Sequence, residues 1–163
     1  MKHLIAVISL VFWLSAPVLA QTTKPAAGIP PFKILQTNGH FFEASQLDKT
    51  KPVVLIYFAP DCSHCQVLME NLFKNFAAFK NTQLVLVTFK PMSELQLFER
   101  QYNTTSYPNI KAGTEGSTYY LRYYYNISNT PFTAVYNKGN LVCSYRNINT
   151  PVSEIINCVK NLK

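Results

Sequence analysis

The sequence predicts an α/β domain in which helices cover both faces of a mixed β-sheet. Residues 53–58 (VVLIYF) form a continuous apolar run rich in β-branched and aromatic side chains, which is typical of a buried parallel strand. Strand-like runs then alternate with helix-like segments, and a second hairpin followed by a helix closes the chain. The predicted order is ββ-βα-βα-α-ββ-α, with the first β-hairpin as an N-terminal extension.

The first half of the chain predicts a hairpin and two core strands, each core strand being followed by a helix. Asn38-Gly39 between two short apolar segments is a strong hairpin signal. Apolar residues at helical spacing from Leu68 to Phe79 predict a helix of about four turns. Ser93 is a plausible cap for a short helix. In chain order the elements are strands 32–35, 41–43 and 53–58, helix 68–79, strand 83–89 and helix 93–98.

The second half predicts a further helix, a second hairpin and a terminal helix. The four residues 137–140 (NKGN) separate two apolar runs and indicate a tight turn. The apolar residues of the last segment fall on one helical face. In chain order we expect a short edge strand within 107–112, helix 117–125, strands 132–136 and 141–145, and helix 151–162.

Residues 1–20 have the features of a secretory signal peptide. Lys2 precedes an apolar run from Leu4 to Leu14, and Ala20 is a small residue suited to cleavage on its C-terminal side. An uncleaved membrane anchor is the alternative, but this apolar core is short for a ~20-residue span. We therefore expect an exported protein, periplasmic in a Gram-negative host and otherwise secreted, with no stable membrane insertion after cleavage.

After the predicted cleavage, residues 21–31 form a polar, Pro-rich and flexible lead-in to a single domain, residues 32–163. This domain is long enough to bury a core without disulfide bonds. The formal net charge of +7 comes from scattered lysines and arginines. Because the basic residues form no stripe or block, we predict no nucleic-acid partner.

The chemistry is predicted to lie in the Cys-x-x-Cys pair Cys62 and Cys65. The pair follows the buried strand 53–58 and precedes a helix. Unsatisfied N–H groups and the dipole at a helix N-terminus favour a thiolate at Cys62, and the thiolate is the nucleophilic form. Cys65, one turn further on, can then attack a mixed disulfide formed at Cys62. This exchange needs no cofactor.

Two readings of His64 remain open. A positive charge on His64, between the two cysteines, would favour the thiolate of Cys62 and make the pair a better oxidant. Alternatively, His64 is an exposed residue at the start of a helix with little effect.

Other uses of Cys62 and Cys65 fit the sequence less well. A zinc site needs four ligands, and the pair supplies two while histidine is scarce elsewhere, so we predict no metal site. A structural disulfide between adjacent turns of one helix closes too short a loop to stabilise the fold.

Three segments resemble the thioredoxin-like family, especially its exported TlpA/ResA group. Residues 58–65 (FAPDCSHC) resemble the family's active-site segment, residues 32–58 its N-terminal hairpin and first core strand, and residues 120–142 its Thr-Pro loop and the adjoining elements. The resemblance spans most of residues 30–163. It implies a thioredoxin-like fold and thiol–disulfide exchange with protein substrates and a redox partner.

The resemblance also implies that Thr130-Pro131 is the family's cis-proline step, lying opposite the cysteine pair and pairing with substrate backbone. The sequence departs from the family elsewhere. Asp61 stands where thioredoxins usually carry Trp. The position of the buried Asp of cytosolic thioredoxin falls near Ile56, so that proton acceptor is absent from this chain. These departures leave the direction of electron flow open.

Two other functions fit the sequence less well than thiol–disulfide exchange. A peroxiredoxin shares the core, but its nucleophile normally follows Thr or Ser three residues earlier, where this chain has Ala59. A copper carrier would use both thiolates, since soft sulfur suits Cu(I). Related carriers have a wider cysteine spacing and a distal His, which this chain lacks.

Cys143 and Cys158 are expected to lie outside the catalytic cycle. They fall on a predicted strand and on the following helix. A structural disulfide and a pair of free buried thiols fit equally well, and a second redox pair fits less well. A bond would close a loop of about fifteen residues and stabilise the fold by roughly 3 kcal/mol.

Overall fold

Strand β3 (Val53–Phe58) is an interior strand of the sheet, and all six of its residues are buried. The structure is a computed structural model that describes residues 28–162. The predicted signal peptide, residues 1–20, and residues 21–27 of the lead-in lie outside the described residues. At the end of the lead-in, Pro30 is buried and Ile29 packs against the core.

Seven strands of the described part of the chain form one mixed sheet. Besides β3, they are β1 (Lys33–Leu35), β2 (Phe41–Glu43), β4 (Gln83–Thr88), β5 (Ile110–Thr114), β6 (Phe132–Asn137) and β7 (Asn140–Tyr145). Their order across the sheet is β2-β1-β5-β4-β3-β6-β7. The central strands β3, β4 and β5 are parallel, whereas β1, β2, β6 and β7 join by antiparallel pairing.

Within residues 28–162, four α-helices cover the sheet: α1 (Ser63–Lys74), α2 (Met92–Tyr102), α3 (Tyr120–Tyr124) and α4 (Val152–Lys160). Buried residues of α1, α2 and α4 share one core with Ile56 and Phe58 of β3. Leu121 of α3 belongs to a second core, on the other face, with Leu55 and Tyr57. Side chains alternate between the faces of a strand, so β3 contributes to both cores. This mixed, doubly covered sheet confirms the predicted α/β fold.

Both predicted hairpins are present. Gly39 has a φ of 82° in the turn between β1 and β2. Lys138 and Gly139 connect β6 to β7 with φ values of 49° and 79°. A two-residue loop with both residues in the left-handed region matches the twist of the strands that it joins.

The strand predicted at the sheet edge within 107–112 is instead an interior strand. β5 runs from Ile110 to Thr114 between β4 and β1. The N-terminal hairpin covers its free side, since Leu35 pairs with Thr114. Gly113 permits this close approach, because a Cβ there would lie 2.7 Å from Cγ1 of Ile34.

The helix predicted over residues 117–125 is interrupted. A 3₁₀ turn covers Gly116–Thr118, Tyr119 adopts a φ of 47°, and α3 begins only at Tyr120. The Glu115 carboxylate accepts a hydrogen bond from the N–H of Leu121 at 2.9 Å and so satisfies a donor in the first turn of α3. This contact helps to hold the acidic side chain of Glu115 in a buried position.

Two helix boundaries also differ from the predicted ones. The helix after β3 already begins at Ser63, and its apolar stripe continues past Asn75 as a 3₁₀ turn, Phe76–Phe79, rather than as one helix. Helix α2 begins at Met92 with Pro91 as its N-cap residue, so Ser93 lies inside the helix. Within the described range 28–162, no helix combines the length and apolarity needed to cross a membrane.

The carboxyl ends of β3, β4 and β5 meet at one edge of the sheet because these strands are parallel. The antiparallel strand β6 begins at this edge, since Phe132 pairs with Tyr57. The loop that carries Cys62 and the loop that carries Thr130 are therefore neighbours. Such an edge is where open α/β sheets place their functional sites.

Candidate active site

The turn between β3 and α1 places Cys62 at the N-terminus of the helix. The Cys62 N–H donates to the carbonyl of Ala59 at 3.1 Å, and the Gln66 side-chain amide donates to the carbonyl of Pro60 at 2.9 Å. Cys62 is the N-cap residue of α1, and its carbonyl accepts the first helical hydrogen bond, from the Gln66 N–H. The Cys62 sulfur therefore lies beside the free N–H groups of the first helical turn.

Cys62 and Cys65 are both free thiols, but they differ in exposure. Cys62 is half-buried, whereas Cys65 is 1% exposed and belongs to the core on the α1 face. The helix turns Cys65 towards the sheet and leaves Cys62 at the surface. A reaction partner from solvent can reach the first sulfur and not the second.

The surroundings of Cys62 favour its thiolate. Partial burial acts to raise the pKa of Cys62, but hydrogen-bond donors outweigh this effect and bring the pKa below its usual value. These donors are the backbone N–H groups of Cys65 and His64, the Cys65 thiol and the Thr130 side chain. Donors to a thiolate stabilise the charged form.

Cys65 has the opposite character. Burial raises the pKa of Cys65 to about 12, and the negative charge of a Cys62 thiolate adds to the effect. The pair thus consists of one accessible sulfur that ionises readily and one buried sulfur that stays protonated at neutral pH.

The Thr130-Pro131 segment faces the cysteines. Its peptide bond is cis, and the Thr130 carbonyl accepts a hydrogen bond from Sγ of Cys62 at 3.5 Å. The Thr130 side chain also interacts with both sulfurs and lowers the pKa of each. The Thr130 carbonyl accepts a hydrogen bond from the neutral thiol, and the Thr130 hydroxyl can donate one to the thiolate. One residue can therefore interact with both protonation states of Cys62.

His64 is exposed on the first turn of α1. Its backbone N–H is among the donors that lower the pKa of Cys62, and this contribution is independent of its side chain.

The cysteines are flanked by an ion pair, and the sequence analysis did not find this pair. Lys90 Nζ lies 2.5 Å from Oδ2 of Asp61, the residue before Cys62, and 3.9 Å from Oε2 of Glu94. Lys90 follows β4, and β4 lies parallel to β3. The rule that neighbouring parallel strands end at one edge would have placed Lys90 near the cysteines.

A buried carboxyl group at the same edge was also missed. Glu115 follows β5 and is 6% exposed, and its Oε1 accepts a hydrogen bond from the Tyr57 hydroxyl at 2.7 Å. Burial raises the pKa of Glu115 above its usual value. Tyr57 belongs to the core on the α3 face, so this carboxyl group lies on the opposite side of the sheet from Cys65.

Cys143 and Cys158 form a disulfide, which decides between the two alternatives left open by the sequence. The bond joins β7 to α4 across a Cα–Cα distance of 6.7 Å. Cys158 is buried and Cys143 is half-buried. The bond therefore attaches the C-terminal helix to the last strand of the sheet.

Two further features bear on the chemistry of the site. Among residues 28–162, no group of three or more His, Cys, Asp or Glu side chains is arranged to hold a metal ion.

A cavity of about 630 Å³ is lined by Phe32, Val53 and Tyr136, among others. Because Val53 begins β3 whereas Cys62 follows its end, this cavity lies at the opposite edge of the sheet from the cysteines.

Comparison with known proteins points to one family. The sequence model of the thioredoxin family matches residues 33–124, which include both Cys62 and Cys65. A sequence search of curated proteins found no significant match.

Several solved structures share the fold. A secreted disulfide oxidoreductase of Mycobacterium tuberculosis, homologous to DsbE of E. coli, is 21% identical, with a TM-score of 0.68 over 81% of this chain and 96% of its own. DsbF of the same organism is 20% identical, with a TM-score of 0.66 over 82% and 96%. The exposed lipoprotein thioredoxin of Streptococcus pneumoniae is 20% identical, with a TM-score of 0.62 over 82% and 100%. At these identities the likeness establishes the common fold.

Proposed function

Because this chain belongs to the thioredoxin family of thiol–disulfide oxidoreductases, we propose that it exchanges disulfides with protein substrates outside the cytoplasm. The observation that carries the proposal is the contrast between the two sulfurs. Cys62 is accessible and has a lowered pKa, whereas Cys65 is buried and has a raised one. Attack by one thiol and resolution by the other require this division of roles.

In the first step of substrate reduction, the Cys62 thiolate attacks one sulfur of the substrate disulfide. A bond forms between that sulfur and Cys62, and the substrate S–S bond breaks. The second substrate sulfur leaves as a thiolate and takes a proton from water. The N–H groups at the start of α1 stabilise the Cys62 thiolate before this step.

In the second step, Cys65 resolves the mixed disulfide. Its sulfur attacks Cys62, the bond between Cys62 and the substrate breaks, and the Cys65 proton goes to the departing substrate sulfur. The substrate has then gained two electrons, and Cys62 and Cys65 are joined as a disulfide. A redox partner restores the dithiol, and the same steps in reverse deliver a disulfide to a substrate dithiol.

We assign supporting roles to three residues around the pair. Thr130 contacts Cys62 through its carbonyl and, with Pro131, forms the backbone beside which an extended substrate segment would lie. His64 contributes its N–H to the Cys62 thiolate. None of these residues needs to transfer a proton in the scheme.

The test is to trap the mixed disulfide. In Cys65→Ser, substrate proteins should remain linked to Cys62 and appear as higher-mass species on non-reducing gels that reducing agent removes. Cys62→Ser is the matched control and should trap none. If Cys65→Ser accumulated no mixed disulfide while Cys62→Ser did, the roles of the two cysteines would be reversed. If neither variant did, the proposed exchange would be wrong.

The reduction potential of the Cys62–Cys65 pair, measured against a glutathione series, sets the direction of electron flow. A potential near the reducing end of the thioredoxin-fold scale, about −270 mV, assigns substrate reduction. A potential near about −120 mV assigns substrate oxidation.

The location outside the cytoplasm is supported by the signal-like residues 1–20. Two of the proteins that share the fold are described as secreted or as an exposed lipoprotein. Cleavage after Ala20 would leave the lead-in, residues 21–31, ahead of the domain 32–163. Expression of the full chain in a Gram-negative bacterium should yield a periplasmic protein beginning at Gln21 by mass spectrometry. A cytoplasmic product with its leader intact would contradict export.

A further inference from the structure

A groove lies beside the cysteine pair, between the outer face of α1 and the segment that leads into α4. Its α1 wall includes His64, Val67 and Asn71, and residues 148–153 form the other wall. The groove encloses about 490 Å³, which is within the range of sites that hold small ligands or peptide side chains. Because His64 lies between the two cysteines, the groove begins at the reactive loop itself.

The lining of this groove carries no Asp, Glu, Lys or Arg side chain. Val67 and Ile148 contribute aliphatic surface, and Asn71 and Asn149 contribute neutral polar groups. Val67 is 59% exposed, so its aliphatic side chain is accessible at the surface of this wall. By contrast, an ion pair between Lys90 and Asp61 flanks Cys62. The groove therefore suits a neutral and partly aliphatic occupant.

The second wall is held in place from both ends. The Cys143–Cys158 disulfide joins a residue that precedes this wall in the sequence to one that follows it. Within the segment, the Asn149 N–H donates to Oδ1 of Asn147, and the Thr150 N–H donates to the carbonyl of Asn147, both at 3.0 Å. A wall that is already ordered loses less conformational entropy when a partner binds. The disulfide therefore restrains the segment that forms this wall in addition to joining β7 to α4.

We propose that this groove binds a neutral, partly aliphatic, extended segment of the substrate protein that adjoins its reactive cysteine. The inference rests on the proposed function, since it places the substrate sulfur at Cys62 and the adjoining residues along α1. The continuity of the groove with the cysteine loop argues for a substrate segment as its occupant. The absence of charge from its lining sets the class of segment.

The test compares two uncharged disulfide probes. The first is a short peptide in which Val, Ala and Asn residues flank a single cysteine. The sulfur of this cysteine is joined to thiopyridine by a disulfide bond. The second is dithiodipyridine, which lacks a peptide. The reduced protein releases thiopyridone from either probe, and the ratio of the two rate constants measures recognition of the peptide.

Val67→Glu should lower this ratio about tenfold, since loss of a small apolar contact in a binding site has an effect of that order. A peptide in which Lys replaces the neutral flanking residues should recover most of the loss with Val67→Glu and not with the wild type. Leu97→Glu is the matched control, because Leu97 on α2 is 58% exposed and lies outside the groove. Its ratio should equal that of the wild type. Asn149→Glu, on the opposite wall, provides the same test if Val67→Glu does not fold.

An unchanged ratio in folded Val67→Glu and Asn149→Glu would overturn the inference alone. An equal loss in Leu97→Glu would also overturn it, because the effect would then be one of general charge. A wild-type protein that released thiopyridone from neither probe would refute the proposed function, and with it the inference.

Discussion

At the scale of single residues, the two cysteines show how position along one helix decides the chemistry of a side chain. Cys62 caps α1 and receives N–H donors, whereas Cys65 points into the core. Desolvation acts against ionisation of both thiols, but only Cys62 has enough donors to overcome it. The two thiols therefore differ in exposure and in pKa although both are cysteines of one motif.

We expect iodoacetamide to alkylate Cys62 much faster than Cys65 at mildly acidic to neutral pH. The thiolate is the reactive form, and a thiol with a pKa of about 12 holds almost none of it in this range. Mass spectrometry of the reduced protein after short labelling distinguishes the two sites. Cys65→Ser should be labelled at the wild-type rate, and Cys62→Ser should be almost inert. Faster labelling of Cys65 would contradict the assignment.

Thr130→Val should raise the pKa of Cys62 and slow its alkylation at pH 7 several-fold. The substitution keeps the shape of the side chain but removes the hydroxyl that favours the thiolate. The dependence of the alkylation rate on pH gives the pKa directly. Thr130→Ser keeps the hydroxyl and should stay close to the wild type. An unchanged pH profile in Thr130→Val would show that the hydroxyl has no part in stabilising the thiolate.

At the scale of secondary-structure elements, a covalent bond joins the last strand to the last helix. β7 ends the order of the sheet and is largely exposed. Helix α4 places Ile155 and Cys158 in the core on the α1 face. The disulfide joins this helix to the exposed strand, and it encloses the segment that forms one wall of the groove.

The double variant Cys143→Ser, Cys158→Ser should be less stable by about 3 kcal/mol, the loop-entropy estimate for a closed loop of about fifteen residues. Urea denaturation of oxidised wild type and variant measures the difference. Thiopyridone release from dithiodipyridine should be nearly unchanged if, as proposed, Cys62 and Cys65 carry the reaction. Loss of that activity in a folded variant would instead show that Cys143 and Cys158 relay electrons.

At the scale of the whole molecule, one edge of the sheet gathers residues from distant parts of the chain. Cys62 follows β3, Lys90 follows β4, Glu115 follows β5, and Thr130 precedes β6. The parallel direction of β3, β4 and β5 and the antiparallel direction of β6 produce this arrangement. The edge includes the buried acid Glu115, and its raised pKa predicts that the stability of the fold depends on pH.

Because burial raises the pKa of Glu115 above 4.5, the folded state binds its proton more tightly than the unfolded state does. The stability associated with Glu115 is therefore fully present below about pH 4.5 and is lost as the pH rises through the folded-state pKa. Glu115→Gln, which does not titrate, should lack this decline. The unfolding free energy of the wild type relative to that of Glu115→Gln should fall in urea titrations as the pH is raised above about 4.5. If this difference in unfolding free energy did not change with pH, the pKa of Glu115 would be the same in the folded and unfolded states.

Some features of this protein follow from short stretches of sequence. The apolar run of β3, the turn residues of the two hairpins and the cysteine spacing each depend on neighbours within a few positions. They were sufficient to predict the α/β fold and to place Cys62 and Cys65 where a strand gives way to a helix. The greater reactivity predicted for Cys62 rests on the same local feature, the free N–H groups at a helix N-terminus.

Other features depend on residues that are far apart in the sequence. The interior position of β5 requires the N-terminal hairpin to pair with it, and the bond between Cys143 and Cys158 requires α4 to pack beside β7. The Lys90 ion pair and the burial of Glu115 likewise arise where the strand ends meet. A local pattern specifies which face of an element is apolar but not which partner will cover it. Those pairings were decided only by the packing of the whole chain, since the core buries its apolar surface through many long-range contacts at once.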